Sequence, residues 1–217
     1  MGITELNATS TAMAEVDLAL VLAVDCSSSV DSGDYYLQMH GIAAALRNPP
    51  LFEAIAEGPN QRVAILLVHW SNRNGQMIAI PWRILSHKIE IETVAREVER
   101  APRQWLPGGT GMAAAIYFCT GQLNNLPFKA TRLVIDVSGD GEENEGGDVE
   151  AARLNATNLG VTINGLPIID GSLLVEAYYQ QRVIAGPGAF IVPAVNIHAF
   201  KTAMTQKLLR EIQVRNS

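Results

Sequence analysis

Asp25, Ser27 and Ser29 stand at alternate positions in the stretch 16–29, VDLALVLAVDCSSS, directly after a run of apolar residues. A loop curling out of a strand can aim alternate side chains at one point, and all three here offer oxygen. An oxygen-only, hydroxyl-rich set suits a hard cation such as Mg²⁺, which takes a near-octahedral shell and keeps several waters. The same residue types favour turns and helix N-caps, so an Asp/Ser turn that caps the next helix accounts for this stretch equally well.

Two other segments carry short oxygen side chains. Leu106-Pro107-Gly108-Gly109-Thr110-Gly111 is a loop that delivers Thr110 to a helix start, and Ser138-Gly139-Asp140-Gly141 follows a strand and opens the acidic loop 142–148. Rival chemistries have weaker signals. Gly139-x-Gly141 lacks the third glycine of a dinucleotide loop, Asn144 standing in its place, and Gly108-Gly109-Thr110-Gly111 lacks the Gly-Lys of a phosphate loop. There is no Gly-x-Ser-x-Gly elbow. His40, His69, His87 and His198 are scattered, without His-x-x-x-His or Cys-x-x-Cys spacing, which argues for structural or surface roles rather than zinc chemistry. The acidic loop lacks EF-hand spacing and reads as solvated. Trp70, Trp82 and Trp105 read as packing residues, with Trp105 close enough to the Thr110 loop to join a partner-binding rim. Tyr178 and Tyr179 are expected to divide between core and surface.

The chain of 217 residues is long enough for one α/β domain with a substantial core. A net charge of −6 and no visible basic stripe argue against nucleic acid as a partner. Cys26 and Cys119 are the only cysteines, so no disulfide framework exists and both read as small packing residues. No segment has the length of a membrane span. The N-terminal MGITELNATSTAMAEVD has no apolar core of a signal peptide, although Ala12-Met13-Ala14 has the small residues of a cleavage site. Periplasmic and cytoplasmic locations both stay open.

The elements that must position these residues alternate along the chain. Residues 16–25 read as a buried central strand, and Asp31 and Ser32 cap a helix that Asn48-Pro49-Pro50 stops at about Arg47. A helical turn over 51–57 precedes a second strand at 62–70. Asn72-Arg73-Asn74-Gly75 is a hairpin signal leading to a third strand at 76–84, which Pro81 assigns to a sheet edge. Further helices are expected at 86–100, 110–125, 149–159, 172–182 and 197–214, and strands at 131–137, 161–168 and 189–195. Residues 1–15 form an N-terminal extension and 16–217 one domain. This alternation implies right-handed crossovers in an α/β fold: an open, doubly wound, mostly parallel six-stranded sheet of order 3-2-1-4-5-6, one antiparallel edge strand, and helices on both faces. A reversal of strand order between the first and fourth strands puts a crevice at their carboxyl ends. Those ends carry Asp25-x-Ser27-x-Ser29 and Asp140, and the Thr110 loop reaches the same rim.

In that order, Asp25-x-Ser27-x-Ser29, Gly108-Gly109-Thr110 and Asp140-Gly141 resemble a von Willebrand factor A domain with its metal-ion-dependent adhesion site. The resemblance runs from about Val16 to Val214. It looks closest to a bacterial branch of unknown function, on the strength of VDLALVLAVD, the acidic loop after SGDG, Asn164-Gly165-Leu166-Pro167 and Gly186-Pro187-Gly188-Ala189-Phe190. The resemblance implies a Mg²⁺ or Mn²⁺ ion at Asp25, Ser27, Ser29, Thr110 and Asp140, with few charged groups directly on it, taking an Asp or Glu from a partner protein. The implied function is metal-dependent protein–protein interaction, not catalysis. The alternatives are a structural subunit of a larger assembly with a vestigial site, and a Mg²⁺-assisted hydrolase, which would need a general base from Asp25, Asp140 or the acidic loop.

One departure is plain. Such domains commonly reach the second aspartate through Thr-Asp-Gly, whereas Ser138-Gly139 precedes Asp140 here. Gly139 is expected to let the backbone bend so that Asp140 still faces the metal, with Asp136 as the fallback. In related domains the final helix moves with the metal site. Its counterpart at 197–214 carries Phe200, Met204, Leu208 and Ile212 as one apolar stripe, with Lys201, Lys207, Arg210 and Glu211 on the polar remainder. The same stripe serves a static helix that completes the core.

Overall fold

The structure, a computed structural model, describes residues 13–103, 108–171 and 173–213. Its centre is β1 (Glu15–Asp25). Leu18, Leu20, Leu22 and Val24 face one buried layer, while Ala19, Val21 and Ala23 face the other. A strand that is apolar on both sides is stable only in the middle of a sheet covered on both faces. In chain order there follow α1 (Ser32–Leu46), α2 (Pro49–Ala56), β2 (Val63–Trp70), β3 (Gln76–Leu85), α3 (Lys88–Arg100), α4 (Met112–Asn124), β4 (Lys129–Gly139), α5 (Val149–Asn158), β5 (Val161–Pro167), α6 (Leu173–Tyr178) and α7 (Phe200–Gln213). A π-turn, Tyr179–Val183, continues α6, and a 3₁₀ turn, Ile197–Ala199, leads into α7.

β2 and β4 flank β1 in parallel, β5 lies parallel to β4, and β3 runs antiparallel to β2, giving the order β3-β2-β1-β4-β5. The sheet is therefore mixed and five-stranded, with Pro81 on its edge strand as expected. Residues from α1, α2, α3 and α7 fill one core layer, and residues from α4, α5 and α6 the other. Both cysteines are free and buried.

The expected sixth strand at 189–195 does not form, and the reason is chemical. Residues 190–194 do run alongside β5. Gly165 N–H donates to Phe190 O at 3.0 Å, Val192 N–H to Gly165 O at 3.0 Å, and Ala194 N–H to Pro167 O at 2.9 Å. The next donor of a continuous ladder would be the amide of residue 167, and proline has none. The pairing breaks into isolated bridges, Gly165 with Ile191 and Ile168 with Ala194.

α7 departs from the single apolar stripe. Phe200, Met204 and Leu208 are buried, but so are Lys207 and Glu211, at 0% and 1% exposure. Lys207 Nζ lies 3.0 Å from Asp136 Oδ1 of β4 and 3.0 Å from Glu211 Oε1. Asn164 of β5 donates to Glu211 Oε1 at 2.8 Å and accepts from Phe190 N–H at 2.8 Å. The helix is thus tied to the sheet by buried charge as well as by apolar contact. The extension through residue 12, Trp105 and the end of the last helix lie outside the described residues.

Candidate metal centre

β1 continues its pairing one residue past Asp25, where Cys26 N–H donates to Trp70 O at 2.7 Å, and then the chain turns. Asp25 Oδ1 fixes that turn by accepting from Ser27 N–H at 2.7 Å. Ser27 Oγ and Ser29 Oγ lie 3.1 Å apart, and Ser29 Oγ donates to Asp140 Oδ1 at 2.8 Å. The cap of α1 is a different residue. Asp31 accepts from Gly33 N–H at 2.6 Å and Asp34 N–H at 2.8 Å, so helix capping does not account for Asp25, Ser27 or Ser29.

The Thr110 loop is joined to both neighbours. Ser28 Oγ donates to Gly108 O at 2.9 Å on one side. On the other, Thr110 N–H donates to Asn144 Oδ1 at 2.7 Å, and Asn144 N–H returns a bond to Thr110 O at 3.0 Å. A Cβ on Gly141 would sit 3.2 Å from Thr110 Oγ1, which brings the Asp140 turn against the Thr110 side chain. All five residues expected from sequence, Asp25, Ser27, Ser29, Thr110 and Asp140, therefore lie in three loops tied together at the carboxyl end of the sheet.

The acidic loop is not simply solvated. Glu143 accepts from Ala113 N–H at 2.9 Å, Glu145 N–H at 2.8 Å and Gly147 N–H at 3.2 Å, and Glu145 accepts from Gly109 N–H at 3.1 Å. Glu143 thereby satisfies an orphan amide in the first turn of α4. Asp136 stays away from this rim in its ion pair with Lys207.

Gly139 serves a purpose other than the expected bend. Its φ is not positive, but a Cβ there would meet Asp25 Oδ2 at 2.8 Å and the Tyr179 hydroxyl at 2.9 Å. Space, not conformation, requires the glycine. The sequence left open which of Tyr178 and Tyr179 is buried; Tyr179, the first residue of the π-turn, is fully buried with its hydroxyl at this spot. Tyr178 is half-buried, so the pair does divide. Gln38 is a second residue the motif reading passed over. It is fully buried, and its Nε2 donates to Asp25 O at 3.4 Å. A polar residue in the buried Tyr35, Met39 and Ile42 face of α1 was the available signal.

Asp25 is 0% exposed, and its carboxyl is raised to about 7, first by burial and then by the charge of Asp140. Its Oδ2 has no hydrogen-bond partner among the described residues. Asp140 is also raised, by burial and then by Asp34 and Asp170, against the opposing bond from Ser29. Two carboxylates in each other's field, one with a buried oxygen left over, form a place that a positive charge would relieve. Among the described residues no three His, Cys, Asp or Glu side chains are grouped to hold an ion. A site here relies on two carboxylates and three hydroxyls, the donor set of a hard cation.

The fold is similar to that of a pilus adhesin, SpaC, from Lactobacillus rhamnosus GG, with TM-score 0.64 and 15% identity over 91% of this chain and 31% of that one. It is similar to proximal thread matrix protein 1 from the mussel byssus with a zinc-occupied MIDAS motif, with TM-score 0.63 and 15% identity over 93% and 49% of the two chains. It is also similar to von Willebrand factor type A from Catenulispora acidiphila, with TM-score 0.60 and 12% identity over 91% and 43%. The chain thus spans between 31% and 49% of the length of these structures. Identities this low carry the fold alone, which is that of von Willebrand factor A domains. No curated protein matches the chain. A family profile matches residues 15–216, nearly the whole sequence, and the chain belongs to that family, described as protein of unknown function DUF1194.

Proposed function

We propose that this chain is a metal-dependent protein-interaction module, in which Asp25, Ser27, Ser29, Thr110 and Asp140 hold Mg²⁺ or Mn²⁺ and a partner protein supplies an Asp or Glu. The observation that carries the reading is the buried Asp25 carboxyl, its Oδ2 unpartnered among the described residues, beside Asp140 and a chain of hydroxyls. When bound, the ion supplies an electrophilic point for a carboxylate oxygen. The chain's own residues set how electrophilic: Asp25 and Asp140 give the negative charge, while Ser27, Ser29 and Thr110 give neutral oxygen.

Other features agree with a protein partner. The zinc-occupied motif of the mussel protein supports a divalent cation in this fold, and an adhesin and a thread matrix protein stand among the neighbours. Leu173, Leu174 and Val195 are 73%, 71% and 65% exposed in the segments that follow β5 and its bridged neighbour. Exposed apolar side chains at the strand ends suit the apolar part of a docking surface. Glu143 and Glu145 are occupied with backbone amides, which takes two of the candidate general bases away from the hydrolase reading. Among the described residues no helix is long and apolar enough to cross a membrane.

Calorimetry on chelator-treated protein tests the metal. Mg²⁺ or Mn²⁺ should bind at one site, and Asp25→Ala should abolish binding. Binding that survives in Asp25→Ala puts the ion elsewhere, and no binding to the parent protein removes the reading altogether.

A further inference from the structure

Beside Asp140 lies a cavity of about 30 Å³ that Thr110 does not line. Asp34, Asp140 and Asp170 stand around it, with Ile168 and Ile197 among its apolar walls, and no Lys, Arg or His among the described residues lines it. Gln38 also lines it, is 0% exposed, and has an Oε1 without a partner among the described residues. The orientation of that amide is fixed by chemistry. The carbonyl of Asp25 can only accept, so Nε2 faces it and Oε1 faces away. A buried acceptor therefore joins three carboxylates around one small space.

We propose that this cavity receives the ammonium of a lysine on the partner protein, so that the partner motif is an Asp or Glu with a lysine close by. Among the described residues no three His, Cys, Asp or Glu side chains are grouped to hold a bare metal ion, and the amide oxygen of Gln38 supplies the acceptor that completes a site for an ammonium. A space of this size admits a group the size of a water, which suits a compact ammonium better than a planar guanidinium. Three N–H donors match Gln38 Oε1 and two of the carboxylates, and the isoleucine walls suit the methylene stem. The lysine would also offset the acidic field around Asp140, to which Asp34 and Asp170 contribute. The lysine pocket deepens the proposed function, since the partner carboxylate rests on that reading, but the pocket can be tested without the metal.

In the first arm, metal-free protein is titrated with n-butylammonium chloride and followed by ¹H–¹⁵N NMR. Saturable shifts at the amides of Asp34, Gln38, Asp170 and Ile197 are expected, weaker with n-butylguanidinium and absent with tetramethylammonium. Gln38→Leu and, separately, the exposed-residue variant Asp170→Asn should each weaken binding about tenfold. Shifts that fail to saturate, or that persist unchanged in both variants, overturn the inference. In the second arm, a displayed random peptide library is selected on the Mg²⁺-loaded protein. Enriched peptides should pair Asp or Glu with Lys, and the Lys preference should vanish on Asp170→Asn. Enrichment of Asp or Glu without Lys overturns the lysine pocket and leaves the metal-dependent module standing. Lys enrichment without any acidic residue supports the pocket and removes the partner carboxylate.

Discussion

Lys207 on α7 places its ammonium 3.0 Å from Asp136 Oδ1 near the middle of β4, with both side chains sealed from solvent. Asp136 meets it as an ion pair, without an aligned hydrogen bond, while Glu211 accepts one at 3.0 Å. The ammonium also lies 4.6 Å over the Phe190 ring. Two carboxylates and one ammonium leave this cluster one charge short of neutral unless it takes up a proton. An α7 held only by apolar side chains could slide along the sheet, but sliding this helix would strip a buried cation of its partners. The cluster makes the static reading of α7 the better supported one.

Removing the cation alone should be severe. Lys207→Met leaves two buried carboxylates facing each other and should cost about 3–5 kcal/mol. Urea unfolding followed by circular dichroism measures it. A loss below about 1 kcal/mol would place Lys207 among exposed pairs, whose worth is of that size.

Folding raises the Asp136 carboxyl from 3.8 to about 7, burial first, with Lys207 opposing and Glu211 adding to the rise. The folded state keeps a proton that the unfolded chain releases between those values. This contribution is complete below the ordinary carboxylate value and is lost as pH rises through about 7. Asp136→Asn removes the titrating group and keeps its shape. Wild-type protein should therefore lose stability relative to Asp136→Asn between pH 5 and about 7 in urea titrations. Parallel pH profiles for the two proteins would refute the assignment.

The parts of this molecule that were legible in sequence are those set by local pattern. β1 is apolar at both odd and even positions, so it had to be central, and Asn72 to Gly75 had to turn the chain. Asp25-x-Ser27-x-Ser29 was legible because an Asp at a strand end and hydroxyls at alternate positions do not depend on distant partners. Lys207 and Glu211 were not legible. A Lys–Glu pair four apart on a helix has the pattern of a solvated face, and only the register of α7 on β4 and β5 buries it. The lost sixth strand had its cause in plain view at Pro167, but the effect depends on which amide the neighbouring segment needs. Trp105, a packing residue by its sequence and close enough to the Thr110 loop to join a rim, lies outside the described residues.

Glycine substitutions separate space from propensity. Gly139→Ala forces a methyl against Asp25 Oδ2 and the Tyr179 hydroxyl, so it should cost about 1–3 kcal/mol and weaken Mg²⁺ binding. Gly121 lies inside α4 with nothing within 4 Å of a would-be Cβ. Gly121→Ala should instead stabilise by about 0.5–1 kcal/mol and leave Mg²⁺ binding alone. Thermal unfolding and calorimetry on the two variants decide this, and equal effects at both positions would mean that the space around Asp25 is not what fixes Gly139.

The candidate centre should be less stable empty than neutralised. Without a cation, the Asp25 carboxyl sits fully buried, raised by that burial and by the charge of Asp140, while Asp140 is raised by burial and by Asp34 and Asp170. Asp25→Asn keeps the oxygen that accepts from Ser27 N–H and removes one of the two opposed charges. At pH 8 and with chelator present, Asp25→Asn should therefore unfold at a higher temperature than the wild type. Addition of Mg²⁺ at about 100 times its Kd should then stabilise the wild type by about 2.7 kcal/mol and the variant by far less, so that the order of the two proteins reverses or closes. The crossing separates a metal centre from an ordinary buried turn. A turn that merely shapes the loop would be weakened by the substitution with or without metal. A variant less stable than the wild type in chelator, or stabilised by Mg²⁺ to the same extent, would remove Asp25 from the centre and leave its buried Oδ2 to be satisfied by other means.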